Sequence, residues 1–200
     1  MDTMKPTEAE FWDERYRAGR TPWDFRGVPR ALTEFLRTTE MRGSALIPGC
    51  GSGYEVKAFH DHGWNVLAVD FSTVAVERAR AVLGPLAEKV VLADFFVHDF
   101  GGRKFDLIYE RTFLCSLPPE RWPHYVRRVS ELLRQGGRLV GFFLYGHEDE
   151  PPPYPLTETQ AQSLFEQWFV NVADEPVADS LPLFAGRERW QAWAKREDDE

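Results

Sequence analysis

Cysteine is scarce in this chain. Its 200 residues hold two, Cys50 and Cys115, without paired spacing. That excludes a disulfide scaffold and a zinc pattern, and it sets a reduced, cytoplasmic compartment as the expectation. An excess of positive charge is also missing. Lys and Arg number 24 against 32 Asp and Glu, a net charge of −8. General binding to nucleic acid or to an anionic membrane is disfavoured. Arg127, Arg128 and Arg134 share one expected helix and read as its solvated face. No apolar run approaches the length of a membrane span, and the first residues lack the apolar core of a signal peptide. There is no internal repeat. What remains is a 43% hydrophobic composition, suited to one globular domain with a real core.

The periodicity alternates. Residues 7 to 18 read as a helix bearing Phe11, Trp12 and Tyr16. A loop with Gly19, Pro22 and Gly27 follows. A second helix over 28 to 40 spaces Leu32, Phe35 and Leu36 toward a core. Strands are expected at 44–48, 64–70, 89–93, 105–109 and 138–145. Helices are expected at 53–62, 73–83 and 119–134. Ser72 is placed to cap the second of these, Gly84-Pro85 to end it, and Gly136-Gly137 to end the third. Thr157-Glu158-Thr159-Gln160 reads as a capping box opening a helix to about 167. Two late strands, near 168–173 and 188–195, have no helix between them and suggest a hairpin. Alternating strands and helices imply a parallel sheet with helices on both faces, and the hairpin makes one strand antiparallel.

The segment Ile47-Pro48-Gly49-Cys50-Gly51-Ser52-Gly53 carries the most chemistry. An apolar strand stops at glycines on alternate positions, and a helix follows. Glycines there permit a tight turn and close backbone approach to a ligand. Asp70 ends the next strand, 19 residues after Gly51, where an acid can hold ribose hydroxyls. The G-x-G-x-G spacing departs from the G-x-G-x-x-G of dinucleotide enzymes. It favours S-adenosylmethionine, whose amino-acid end can contact the loop backbone. Asp94 and Phe95, after the third strand, are placed to bind the adenine amino group and cover its ring.

These residues resemble a class I S-adenosylmethionine-dependent methyltransferase. More narrowly, the chain is similar to the thiopurine S-methyltransferase family, including its thiol/halide branch. The resemblance is carried by Phe11-Trp12, Thr21-Pro22-Trp23-Asp24, the glycine segment and Val69-Asp70-Phe71-Ser72. Further on it rests on Phe105 to Arg111, Phe113-Leu114-Cys115, Leu132 to Gly137, and Pro152-Pro153-Tyr154. It implies an α/β, Rossmann-like three-layer sandwich. The sheet would be mostly parallel and seven-stranded with one antiparallel strand, helices on both faces, and an N-terminal helical lid. One methyltransferase domain would fill residues 1–200: a lid over 1–40, a core over 41–196 and an acidic tail over 197–200. Where family members often carry Gly-Pro-Pro-aromatic, this chain has Pro151 in the first place. Arg111 matches the thiopurine branch, whereas the halide branch tends to have an aromatic residue there.

The resemblance also implies roles. Trp12, Trp23, Gly49, Gly51, Gly53, Asp70, Phe71, Asp94, Phe95 and Glu110 would bind the cofactor. Trp23, Arg111, Phe113 and Tyr154 would form the acceptor pocket. Arg111 would be the catalytic group, at the site's mouth, orienting an anionic or thiolate acceptor with its planar fork. A structural ion pair with Glu110 is the competing reading for Arg111. Phe11 and Tyr16 read as core packing, Cys50 and Cys115 as packed thiols, and His60-Asp61-His62 as a solvated helix end. No metal is expected. The expected activity is methyl transfer from S-adenosylmethionine to a small molecule, with a thiol sulfur as acceptor and the protein a monomer. The alternatives are O- or N-methylation, a noncatalytic S-adenosylmethionine binder, and a nicotinamide-dependent oxidoreductase.

Overall fold

The computed structural model describes residues Met4 to Glu197. Three residues of the expected acidic tail, Asp198 to Glu200, lie outside the described residues. Among the described residues, two helices come first, α1 (Ala9–Arg17) and α2 (Arg30–Thr38). Then follow β1 (Ser44–Pro48), α3 (Tyr54–Asp61), β2 (Asn65–Asp70), α4 (Thr73–Leu83) and β3 (Val90–Leu92). The chain continues through β4 (Phe105–Arg111), α5 (Trp122–Leu132), β5 (Leu133–Leu144), α6 (Glu158–Phe165), β6 (Phe169–Pro176) and β7 (Glu188–Lys195).

The seven strands form one sheet in the order β3-β2-β1-β4-β5-β7-β6. β1 to β5 pair in parallel, and β7 runs antiparallel to both neighbours, β5 and β6. This is the α/β sheet the periodicity implied. Strand alternation divides the core into two layers. Ala45, Ile47, Leu107 and Tyr109 pack with residues of α2, α3 and α4. Leu46, Ile108, Leu139 and Phe143 pack with residues of α5 and α6. Between β1 and β4 the strand order reverses. In such sheets ligands bind outside the strands' carboxyl ends at that point.

Local signals behave as expected at two helix starts. Ser72 accepts a hydrogen bond from Ala75 N, and Thr157 and Gln160 make both bonds of a capping box. The start of β5 corrects an expectation. α5 stops at Leu132, and Gly136-Gly137 lie inside the next strand. Leu133 turns extended and pairs with Phe105. The register then slips, so that Arg138 pairs with Leu107. The glycines relieve that irregularity instead of ending the helix. β4 also runs two residues beyond its expected end, to Arg111, which brings that side chain into the sheet.

Candidate active site

A cavity of about 370 Å³ opens over the carboxyl ends of β1, β2 and β4. Its floor is the glycine loop. Gly49 and Gly51 hold φ of 58° and 51°, a left-handed conformation that side chains other than glycine resist. A Cβ on Gly49 would stand 2.3 Å from the Phe113 ring, and one on Gly51 2.7 Å from the Tyr16 hydroxyl. Both glycines line the cavity. Gly53, expected to do the same, instead packs beneath α4, with Ala79 Cβ 3.0 Å from the position of its missing Cβ.

Asp70 lies at the end of β2 and lines the cavity. Its Oδ2 accepts from Gly51 N at 3.0 Å and its Oδ1 from Ser72 N at 2.9 Å. Burial pushes its pKa up to about 6, against those hydrogen bonds. Each oxygen keeps a lone pair for a further donor. Asp94 is exposed at the cavity edge, with Oδ1 accepting from Phe96 N at 2.8 Å. Phe95 is largely sunk in the core against Phe113 and Tyr125, while the half-buried Phe96 offers a second aromatic wall.

The N-terminal segment covers the cavity. Trp12 and Trp23 meet edge to face at 5.3 Å, and Tyr16 meets Trp23 at 6.0 Å. All three line the cavity, as does Phe71. Tyr16, expected from the sequence to pack in the core, is the correction here. It follows Trp12 by four residues and so shares its helix face, the signal that would have found it. Two acids that no local sequence pattern marks, Asp13 and Asp24, dock this lid. Asp13 Oδ1 accepts from Ser72 Oγ at 2.5 Å and from Val74 N at 3.2 Å. Asp24 Oδ2 accepts from Ser52 Oγ at 2.8 Å. Phe11 is buried, as expected.

Arg111 is not at the mouth. It is 9% exposed and forms part of the cavity wall, its guanidinium between the rings of Phe25 and Phe142 at 5.0 and 4.8 Å. Its ionic partners are Glu55, 3.7 Å from Nε, and Glu188, 3.9 Å from Nη1, rather than Glu110. Nη2 is buried without a hydrogen-bond partner, and so is the hydroxyl of neighbouring Tyr109. Burial raises the pKa of Tyr109, Glu55 and Glu188, with Arg111 opposing each rise.

Glu110, expected at the cofactor, faces the opposite layer and is absent from the cavity wall. Its Oε1 accepts from Phe113 N and Leu114 N at 2.8 and 2.9 Å, and its Oε2 from Tyr125 at 2.5 Å. It anchors the loop that follows β4, where Thr112 sits at φ 58°. A β-branched residue holds that conformation only when its surroundings impose it. Burial lifts Glu110's pKa to about 7. Tyr154 also differs from expectation. Its backbone N–H donates to Cys115 O at 2.7 Å and its ring packs on the core, leaving Pro152 and Pro153 at the cavity. Phe113 lines the cavity as expected. Cys50 and Cys115 are free, buried thiols with pKa raised by burial. His60, Asp61 and His62 form an exposed helix end, and no cluster of three or more metal-ligating side chains occurs among the described residues.

The glycine cradle, whose space side chains would fill, and the two unpartnered donors beside it fit a ligand with a polar end. Comparison with known proteins agrees. Residues 7–196 match the family described as thiopurine S-methyltransferase. A probable thiol methyltransferase 2 of Arabidopsis thaliana is 31% identical over 167 residues, spanning 80% of this chain and 74% of its own. A thiopurine S-methyltransferase of Vibrio vulnificus (strain YJ016) is 27% identical over 195 residues, spanning 86% of this chain and 88% of its own. Among solved structures, a 1,6-didemethyltoxoflavin-N1-methyltransferase of Burkholderia thailandensis, with bound 1,6-didemethyltoxoflavin and S-adenosylhomocysteine, shares the fold. It has a TM-score of 0.76 at 21% identity, covering 98% of this chain and 93% of its own.

Proposed function

This chain belongs to the thiopurine S-methyltransferase family and is an S-adenosylmethionine-dependent methyltransferase, and we propose that its acceptor is the sulfur of a small, neutral thiol. One observation carries the reading of the acceptor: Arg111 and Tyr109 both line the cavity, and each has a buried donor, Nη2 and the hydroxyl, without a hydrogen-bond partner. A developing thiolate needs such donors, and burial makes them stronger than they would be in water.

Bound S-adenosylmethionine supplies an electrophilic methyl group on a sulfonium. The residues then have to align and desolvate the nucleophile. Asp70 accepts from the ribose hydroxyls. The backbone around Gly49 and Gly51 receives the amino-acid end. Asp94 takes the adenine amino group, with Phe95 and Phe96 against the ring. Trp12, Tyr16, Trp23 and Phe71 close over the cavity and exclude water. Phe113, Pro152 and Pro153 give the acceptor an apolar wall.

Charge supports a neutral acceptor. Arg111 stands between two buried acids, so its positive charge is already offset. An inorganic anion such as thiocyanate or iodide would add a further negative charge to a desolvated site. The net charge of −8 supports a small-molecule acceptor over a nucleic acid. Two free buried cysteines are in keeping with a reducing cytoplasm, and no helix among the described residues is long and apolar enough to cross a membrane. The test is S-adenosylhomocysteine formation across matched neutral thiols, thiocyanate and iodide. Neutral thiols should exceed both anions by at least about tenfold in kcat/KM, and a preference for the anions would refute the assignment.

A further inference from the structure

Glu55 lies in the first turn of α3, directly after the glycine loop. Its side chain is 11% exposed and lines the cavity. Oε1 lies 3.7 Å from Arg111 Nε, too long for a hydrogen bond and short enough for strong Coulomb attraction. The charged and titratable groups facing it are Arg111 and Tyr109 from β4, Asp24 from the lid loop and Cys50 from the glycine loop. Glu188 is the other acid paired with Arg111. The cavity wall thus joins an acceptor of protons, Glu55, to two residues, Arg111 and Tyr109, whose buried donors lack partners.

We propose that Glu55 is the proton acceptor of the reaction, taking the thiol proton while Arg111 and Tyr109 hold the sulfur. The proposal rests on the thiol reading of the acceptor. The step balances by itself. The S–H bond breaks, its electron pair stays on sulfur as the nucleophile, and the proton bonds to a Glu55 carboxylate oxygen. One negative charge moves from Glu55 to sulfur beside the same guanidinium, so the buried charge is unchanged. A free thiol, with a pKa of about 8.5, is mostly protonated at neutral pH and gains from a nearby base. Burial raises the pKa of Glu55 toward that of the thiol, which eases the transfer.

The test compares wild type with Glu55→Gln and Glu55→Asp. The first readout needs no turnover. An aryl thiol that is already a thiolate at pH 8 is titrated calorimetrically into the S-adenosylhomocysteine complex, in two buffers of different ionisation enthalpy. Wild type and Glu55→Asp should take up about one proton on binding, and Glu55→Gln none. Equal uptake in wild type and Glu55→Gln overturns the proposal. The second readout is kcat. With an aliphatic thiol, Glu55→Gln should lose about 100-fold, a typical contribution of a general base, while the aryl thiolate changes by about threefold or less. An equal loss on both thiols would make Glu55 a positioning residue for Arg111 and overturn the proposal. Calorimetric affinity for S-adenosylmethionine should stay within about threefold, and a large loss would make Glu55 a cofactor ligand instead. If wild type methylates phenols or amines and no thiol, the acceptor reading fails first and carries this proposal down with it.

Discussion

The hydroxyl of Ser72 donates to Asp13 Oδ1 at 2.5 Å, and the backbone N–H of Ser72 donates to Asp70 Oδ1 at 2.9 Å. One residue at the start of α4 therefore joins the lid helix to the acid assigned to the ribose. Asp13 is buried, with its side chain 8% exposed. Asp13→Ala should cost about 1–3 kcal/mol of stability, the usual range for losing a buried acceptor and leaving its donors bare. It should also weaken S-adenosylmethionine binding, because Trp12 and Tyr16 ride on the same helix. Thermal unfolding and calorimetry check this, and unchanged cofactor affinity would detach the lid from the site.

Asp70 gives the site a pH dependence with a definite sign. Its pKa in the folded protein is raised by burial to about 6. A carboxylate with a raised pKa contributes stability below its unfolded value, and that contribution is lost as pH rises through about 6. Bound ribose hydroxyls would reverse this locally, because they donate to the ionised form. Cofactor affinity should therefore be flat above pH 6 and fall about tenfold per pH unit below it. Asp70→Asn should bind more weakly and lose the dependence. Calorimetry from pH 5 to 8 measures both.

Gly51 tests the cradle. Gly51→Ala places a Cβ 2.7 Å from the Tyr16 hydroxyl, at a φ of 51°. The conformation alone costs about 1–2 kcal/mol. Cofactor affinity should fall by at least about tenfold. Tyr16→Phe in the same chain removes the clashing oxygen and should restore part of that loss, leaving the backbone cost.

Much of this was legible in the sequence where the cause is local. Ser72 caps α4 because its side chain reaches Ala75 N three residues on, and the Thr157–Gln160 box closes within one turn. The Tyr109-Glu110-Arg111 run was harder. β4 is buried on both faces, so hydrophobic alternation does not say which way each side chain points. Period two sends Tyr109 and Arg111 to the α3 layer and Glu110 to Tyr125, which reversed the expected role of Glu110. The Glu55–Arg111–Glu188 cluster is beyond any local pattern, since it joins a helix start to strands far apart in the chain. Tyr154 departs from its expected place at the acceptor pocket for a related reason. Its position is set by a hydrogen bond to Cys115, from a different loop.

Substitutions at Arg111 should separate acceptor handling from cofactor binding. Arg111→Ala would leave Glu55 and Glu188 buried without a cation, a loss of about 3–5 kcal/mol in stability. Arg111→Lys keeps the charge and removes the fork. Arg111→Lys should fold and bind S-adenosylmethionine within about threefold of wild type, while thiol turnover falls by at least about tenfold. Steady-state kinetics alongside calorimetry reads the two effects apart. Equal turnover would remove Arg111 from the acceptor site.

Everything proposed for the acceptor wall requires that the methyl group goes to sulfur. An acceptor carrying both nucleophiles tests it within one molecule. With 4-mercaptophenol and methyl-labelled S-adenosylmethionine, the site of the label is read by NMR of the product. The expected product is the S-methyl thioether with the phenol left free. Label on the phenolic oxygen, with the thiol unmodified, would contradict it.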